Sequence, residues 1–226
     1  MLPFALLLAI QLLEPGSFHG DEVRAVSGQR WLALVWDEKG SALRPVTIHV
    51  ASANPADQSS FPEGKQVTVK PAYDDSLVAL LRGPELHEGP VTTAVFDGNG
   101  DLEIGKTVPL TLPDSPPTHY TLTLSCKPGK TVYPSFRCPL VLSDGVQSQE
   151  LFVYTAFPGE QRQHISFPGP SPYFAWAGDL DGDGKLDLLV NTTNHDNGGD
   201  LTLYLSSKAK NGALAGVAAQ FLTVGC

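Results

Sequence analysis

Residues 119–126 read HYTLTLSC, and this short stretch indicates the kind of fold that the chain adopts. Tyr120, Leu122 and Leu124 alternate with small polar residues, and successive side chains of an extended strand point to opposite faces. A strand of this kind has one apolar face and one polar face. The stretch therefore predicts a β-strand that covers a core with one side and meets water with the other.

Similar stretches recur from Trp31 onward. Each is rich in valine, threonine, leucine and aromatic residues and is bounded by turn-forming residues, a combination typical of strands. The other candidate strands are 31–36, 44–50, 65–70, 76–82, 89–96, 107–112, 138–143 and 149–157. The best helical candidate is 206–221, which Gly212 and Gly216 interrupt, so we expect at most one or two turns there. The pattern predicts an all-β chain with antiparallel sheets.

The composition of this 226-residue chain supports that fold class and excludes others. Its 22 glycines and 19 prolines argue against a helical bundle, because both residues break helices. A hydrophobic content of 42% argues against disorder. The formal net charge of −9 argues against binding to nucleic acid or to an anionic membrane, since both need a basic face.

The first twenty residues contain an apolar run, from Phe4 to Leu13, that is too short to cross a membrane as a helix. The length of this run fits the apolar region of a secretory signal peptide, although no basic residue precedes it. We therefore expect residues 1–20 to be a signal peptide, the protein to be secreted or periplasmic, and no membrane span. The alternative is a helix or strand buried in the mature fold.

A domain boundary is predicted near residue 168. The stretch 157–172, FPGEQRQHISFPGPSP, contains two Phe-Pro-Gly steps and little periodicity. We expect an antiparallel β-sandwich-like domain over residues 21–168 and a smaller module over 169–226. The alternative is a long loop inside a single domain.

Cys126 and Cys138 flank a segment with a Pro-Gly turn signal between two strand-like runs. In an exported protein this arrangement predicts a disulfide, and the alternative is a pair of buried thiols. Cys226 is the odd cysteine, and it is either free or replaces one member of that pair. The absence of a C-x-x-C spacing in the sequence argues against a zinc site.

Residues 179–187 read DLDGDGKLD and carry the clearest chemistry of the sequence. Aspartates occupy loop positions 1, 3, 5 and 9, namely Asp179, Asp181, Asp183 and Asp187. Calcium takes roughly six to eight oxygen ligands, and carboxylates spaced by two along a tight loop can converge on one ion. Gly184 permits a sharp turn that brings the carbonyl of Lys185 inward as a further ligand. An EF-hand would need glutamate where this chain has Val190, so a strand–loop–strand calcium site is predicted.

This D-x-D-x-D-G-x-x-D pattern, followed by three apolar residues, resembles the calcium loop of FG-GAP repeats in integrin α-subunit propellers and of related VCBS-type repeats. In those families the loop joins two antiparallel strands of a blade and binds one calcium ion. The resemblance implies four side-chain ligands and one main-chain ligand: Asp179, Asp181, Asp183, Asp187 and the carbonyl of Lys185. The resemblance covers residues 173–205. The wider chain is similar to secreted bacterial proteins that end in a single loop of this kind.

A complete propeller needs several copies of the repeat, and this sequence holds one full copy. A degenerate second copy lies at 96–103, where Asp97, Asn99 and Glu103 align with the calcium loop but Val95 replaces its first aspartate. The same residues are also ordinary hairpin signals, and we expect a turn there rather than a second cation site. The full copy therefore predicts a single blade-like β-hairpin module packed against the larger β-domain.

Evidence for catalysis in the sequence is weak. The motifs typical of serine hydrolases, zinc proteases and phosphate-binding loops are missing from it. Asp74-Asp75 and Glu85 are candidates for the paired carboxylates of a glycoside hydrolase, but adjacent aspartates beside a strand are typical of a solvated surface. Trp31 and Trp36 suggest a carbohydrate platform, yet in one strand they face opposite sides.

We therefore expect a secreted, calcium-binding, all-β protein that acts as a non-catalytic binding or structural module. Calcium would rigidify the 179–187 loop, and a protein or a carbohydrate would be the further partner. The alternative is a secreted hydrolase in which calcium is purely structural. An acid cluster outside the loop, beside an open cleft, would favour that alternative.

Overall fold

The computed structural model describes residues 9–37, 40–53, 64–73, 76–129, 134–159 and 165–224. Strands make up 59% of the structure, the sheets are antiparallel, and the described ranges contain no α-helix. This result confirms the predicted all-β class. One sheet is nearly closed and barrel-like, and the other is a curled half-barrel.

Seventeen strands run through the described ranges, and they are numbered in chain order. They are β1 (Gln11–Leu13), β2 (Gly16–Phe18), β3 (Arg30–Asp37), β4 (Gly40–Ala53), β5 (Gly64–Lys70), β6 (Leu77–Arg82), β7 (Gly89–Thr93), β8 (Thr107–Leu112), β9 (Thr118–Leu124), β10 (Lys127–Pro128), β11 (Phe136–Ser143), β12 (Ser148–Pro158), β13 (Ile165–Ser166), β14 (Phe174–Asp179), β15 (Asp187–Asn191), β16 (Gly198–Leu205) and β17 (Gly216–Val224).

The larger sheet has eleven strands, in the order β1-β6-β3-β4-β7-β14-β15-β16-β17, with β5 paired to β4 and β2 paired to β5. Its end strands, β1 and β17, lie beside each other, so this is the sheet that nearly closes. Phe18 and Phe221 pack edge to face next to this junction, with ring centroids 5.1 Å apart.

The smaller sheet has six strands, in the order β13-β12-β11-β9-β8, with β10 paired to β11. The chain leaves the larger sheet after β7, builds the smaller sheet, and returns as β14. Strand β14 then pairs with β7, through Gly178 opposite Thr93. Residue 168 lies just before this return, and β14–β17 belong to the same sheet as β1–β7. The division of the chain into two domains stays a prediction.

Two hydrophobic cores result from this arrangement. Core 1 contains residues of the larger sheet and its connections, including Leu34, Leu80 and Trp176. Core 2 lies between the two sheets and includes Leu122 and Leu140 of the smaller sheet. The alternating residues Tyr120, Leu122 and Leu124 of β9 all belong to core 2, as the pattern of residues 119–126 predicted.

Strands β14 and β15 separate the two cores. In β15, Leu189 packs in core 1 while Leu188 and Val190 pack in core 2, and every residue of the strand is buried. A strand that is covered on both faces has a continuous apolar sequence rather than an alternating one. This explains the run Leu188-Leu189-Val190 that follows the acidic loop.

Each strand predicted from the sequence overlaps an observed strand, from 31–36, which overlaps β3, to 149–157, which overlaps β12. The helical candidate 206–221 contains a single 3₁₀ turn, Ser206–Lys208, within the expected limit. Its second half belongs to strand β17, which the sequence pattern does not predict. The reason is that alanine-rich segments carry little strand signal of their own.

Part of the predicted signal peptide lies in the larger sheet. Strand β1 pairs with β6, β2 pairs with β5, and the side chains of Leu12 and Leu13 are buried. This placement matches the alternative of a strand buried in the fold. Residues 1–8 lie outside the described ranges, and the signal peptide stays a prediction.

Cys126 and Cys138 form the predicted disulfide, with an S–S distance of 2.01 Å. The bond joins the segment that follows β9 to β11, the strand that pairs with β9. Cys138 is fully buried in core 2. Cys226 lies outside the described residues.

We expect loss of this disulfide to destabilise the protein. The bond closes a loop with a sequence separation of 12. For a loop of this size, chain entropy predicts a loss of about 3 kcal/mol in the free energy of unfolding. Urea unfolding of the Cys126→Ala/Cys138→Ala variant measures this loss, and wild-type protein kept in reductant should lose a similar amount. Equal stability of the oxidised and reduced proteins would contradict the prediction.

A buried polar contact joins β14 to β4 and β7. The indole N–H of Trp176 donates to the hydroxyl oxygen of Ser41 over 2.8 Å, and the hydroxyl of Thr93 donates to the same atom over 2.7 Å. Trp176 is fully buried in core 1, which also includes Leu180 of the acidic loop. Trp176 therefore packs in the same core as the base of the acidic loop.

Ser41→Ala should destabilise the protein by about 1–3 kcal/mol, because it leaves the buried indole N–H of Trp176 without an acceptor. Equilibrium unfolding in urea measures the change. Ser52→Ala, at an exposed position of the same strand, is the matched control and should change stability by less than about 0.5 kcal/mol. Similar losses in both variants would show that the buried contact contributes nothing specific.

Candidate metal centre

The acidic loop lies between β14 and β15, which pair antiparallel with Gly178 opposite Asp187. The predicted strand–loop–strand arrangement is thus what the structure contains. Gly182 and Gly184 adopt left-handed φ angles of 79° and 77°, which residues with a Cβ rarely adopt. These glycines let the chain reverse within a few residues and bring the acidic side chains near one another.

Three of the predicted ligands converge. Carboxylate oxygens of Asp179, Asp181 and Asp187 all lie within 4.8 Å of one another. A calcium–oxygen distance is about 2.4 Å, so two oxygens on opposite sides of one ion are about 4.8 Å apart. The spacing of the three carboxylates therefore suits a single cation between them.

Asp187 is the most buried member of this group, with no exposed surface. Its Oδ2 atom accepts the backbone N–H of Leu180 over 2.7 Å, and its Oδ1 atom accepts that of Ser206 over 2.8 Å. Burial raises the pKa of Asp187 to about 8, the hydrogen bond from Ser206 opposes this rise, and the nearby charge of Asp181 adds to it. Ionised Asp187 is therefore costly here unless a positive charge lies close by.

Asp179 organises the loop as well as contributing to the cluster. Its Oδ1 atom accepts the backbone N–H groups of Gly182 and Asp183, over 2.8 and 3.1 Å, and its Oδ2 atom accepts that of Gly184 over 2.9 Å. Hydrogen bonds from several backbone N–H groups hold a carboxylate in one orientation. Asp179 is thus fixed by the same loop whose shape it determines.

The two oxygens of Asp181 have different surroundings. Oδ2 accepts a hydrogen bond from the hydroxyl of Ser207. Oδ1 is buried and has no hydrogen-bond partner among the described residues. Burial raises the pKa of Asp181, and the bond from Ser207 partly offsets that rise. A buried carboxylate oxygen without a partner is unfavourable in a protein interior, and a bound cation is one group that would satisfy it.

The fourth predicted carboxylate ligand, Asp183, is placed differently. Asp183 is exposed, and both of its oxygens accept the hydroxyl of Ser206, over 2.8 and 2.7 Å. Its Oδ1 atom also accepts the backbone N–H of Lys185 over 2.9 Å, and Asp183 is not among the three converging acids. Three of the four predicted carboxylate ligands thus come together in the structure. Lys185 is exposed, and its main-chain carbonyl as a ligand stays a prediction.

Ser206 and Ser207 contact the loop and were missed in the sequence analysis. They follow β16, which pairs with β15 through Leu188 opposite Tyr204. That register brings the residues after Tyr204 beside the residues before Leu188. Only knowledge of this pairing could have assigned the two serines to the site.

The remaining candidates do not build a second acidic cluster in the described ranges. In the degenerate copy at 96–103, the side-chain amide of Asn99 donates to Asp101 over 2.9 Å, and Glu103 pairs with Lys106 over 2.7 Å. Glu85 pairs with Lys208 over 2.5 Å. Asp74 and Asp75 lie outside the described residues.

The tryptophans of β3 face opposite sides, as predicted. Trp31 is buried in core 1, whereas Trp36 is 37% exposed and packs against Phe96. The two rings therefore do not form one platform.

Comparisons of the chain with protein-family models, with curated proteins and with solved structures gave no match. The resemblance of the acidic loop to FG-GAP and VCBS-type repeats therefore stays a prediction. Among the helices of the described ranges, none has the length and apolar character that a membrane crossing requires.

Gly178 immediately precedes the cluster, and we expect Gly178→Ala to be strongly destabilising. A Cβ at this position would lie 2.1 Å from the carbonyl oxygen of Thr92 and 2.5 Å from the ring of Trp176. Because the closest atom belongs to the backbone, the loss in unfolding free energy should reach about 3 kcal/mol.

Gly182→Ala is the matched control for this substitution. Nothing lies within 4 Å of a Cβ at Gly182, and only its left-handed φ opposes a side chain. We expect a loss of about 1–2 kcal/mol for this variant. Urea unfolding with chelator present compares the two proteins, and an equal or larger loss for Gly182→Ala would refute the close contact at Gly178.

Proposed function

We propose that this chain is a secreted or periplasmic calcium-binding all-β protein that acts as a non-catalytic binding or structural module. Calcium rigidifies the 179–187 loop and so fixes the β14–β15 hairpin. The observation that carries the proposal is the buried Oδ1 atom of Asp181, which lies without a hydrogen-bond partner in a group of three converging carboxylates.

The donor set supports calcium rather than a softer metal. All three converging groups offer carboxylate oxygens, and hard cations such as calcium prefer oxygen ligands. Zinc sites in proteins are typically built from cysteine and histidine, and this group contains neither. In our proposal Asp179, Asp181 and Asp187 hold the ion, and Asp183 and the carbonyl of Lys185 complete the set that the resemblance implies.

Charge repulsion within the loop supports a stabilising role for the ion. Burial and neighbouring carboxylates raise the pKa of both Asp181 and Asp187. A divalent cation would favour the ionised carboxylates and replace their mutual repulsion by attraction. A ligand that binds only the folded state adds to its stability, by about 2.7 kcal/mol when its concentration is 100 times its Kd.

The contacts of the loop cluster, which consists of Asp179, Asp181 and Asp187, support a structural role for the ion. Its members are engaged by backbone N–H groups and serine hydroxyls, as expected for a structural ion site.

Thermal unfolding with calcium and with chelator tests this proposal. We expect a clear rise in Tm with calcium, and Asp181→Ala should lose most of that rise because it removes the unpartnered oxygen. Asp97→Ala, in the degenerate copy of the motif, is the matched control and should keep the full response. Magnesium in place of calcium tests the choice of ion. A wild-type Tm that is indifferent to chelator would show that the metal proposal is wrong.

A further inference from the structure

The 3₁₀ turn Ser206–Lys208 donates hydrogen bonds to the aspartates of the acidic loop. The backbone N–H of Ser206 donates to Asp187, its hydroxyl donates to Asp183, and the hydroxyl of Ser207 donates to Asp181. Two consecutive residues that follow β16 thus contact three of the four loop aspartates.

The turn is itself anchored by the surrounding fold. Leu205, which precedes it, is fully buried, and the ammonium of Lys208 pairs with Glu85 over 2.5 Å. Gly216, at the start of β17, packs so closely that a Cβ there would lie 2.2 Å from the carbonyl oxygen of Lys208. The position of Ser206 and Ser207 is therefore fixed by contacts outside the acidic loop.

The contact between Ser207 and Asp181 makes the two carboxylate oxygens of Asp181 unequal. The hydroxyl occupies Oδ2, and the buried Oδ1 is left as the oxygen that can bind a cation. A hydrogen bond to one oxygen of a carboxylate restricts its rotation, and partners of this kind orient ligands in metal sites. We infer that Ser207 is a positioning residue that sets the calcium affinity of the site by holding Asp181 with Oδ1 turned toward the ion.

This inference rests on the proposed calcium function and adds a residue outside the loop motif to it. A substitution at Ser207 tests the inference more cleanly than a substitution at Ser206. Ser206 is buried and contacts two aspartates, so its removal would disturb the fold as well as the site. Ser207 is exposed, so its hydroxyl can be removed without opening a cavity in either core.

The test is the calcium Kd of the full chain, measured by isothermal titration calorimetry for wild type, Ser207→Ala and Ser207→Thr. We expect Ser207→Ala to weaken calcium binding by about 10-fold or more, the usual effect of removing a hydrogen bond to a metal ligand. Ser207→Thr keeps a hydroxyl and should restore most of the affinity. The urea midpoint in chelator should be the same for all three proteins. If Ser207 only stabilised the fold, its substitution would lower this midpoint.

Ser27→Ala is the matched control, because Ser27 is also exposed and its hydroxyl bonds to the backbone of Val50, away from the loop. This variant should keep the wild-type Kd. If wild type binds calcium and Ser207→Ala binds it equally well, the inference fails and the calcium function stands. Equal weakening by alanine and threonine would also overturn the inference, because the hydroxyl would not be the cause. If wild type binds no calcium, both proposals fail together.

Discussion

The burial of β15 on both faces is the constraint on which the rest of the structure depends. Leu189 points into core 1, and Leu188 and Val190 point into core 2. Such a strand needs a hydrogen-bonding neighbour on each side as well, because a buried backbone amide without a partner is unfavourable. Strands β14 and β16 supply those neighbours, and each in turn has a further partner, β7 and β17.

The position of the acidic cluster follows from this burial. Asp187 is the first residue of β15, and it enters the interior with the apolar residues that follow it. The loop before it supplies N–H donors and further carboxylates from short-range turns, and the turn after β16 supplies hydroxyls. A strongly acidic group therefore lies at the edge of a hydrophobic interior, where electrostatic interactions are stronger than in water. Such a place suits an ion that stiffens a hairpin, because the stiffened residues continue directly into the core.

The sequence predicted most of the individual strands, but it did not predict which strands pair with each other. Tyr120, Leu122 and Leu124 revealed β9 because that strand has one covered face, and the alternation of its side chains records this directly. The apolar run of β1 looks the same whether it is a signal or a sheet strand, since hydrophobicity does not specify what covers it. Strand β17 was not predicted, because its alanines carry little strand preference. The curling of both sheets depends on pairings between distant residues, which no local pattern encodes.

The same limit explains the outcome at the site. Asp179, Asp181 and Asp187 were predicted because calcium chemistry dictates their spacing along one loop. Ser206 and Ser207 were not, because their contact with the loop depends on the register between β15 and β16. Asp183 fits the motif by position, but its carboxylate accepts the hydroxyl of Ser206 and is not among the three converging acids. A linear motif describes the residues of one loop and says nothing about neighbours that another strand provides.

The insertion of the smaller sheet between β7 and β14 has a consequence for how the chain tolerates change. Thr93 and Gly178 are paired residues of adjacent strands, so the whole smaller sheet is a single excursion whose two ends meet. The entropy of closing a flexible loop grows only with the logarithm of its length. Lengthening or shortening this excursion therefore hardly alters the entropic cost of joining its ends. The junction between β7 and β14 is therefore a point at which a second layer can be inserted while the strand order of the first sheet is kept.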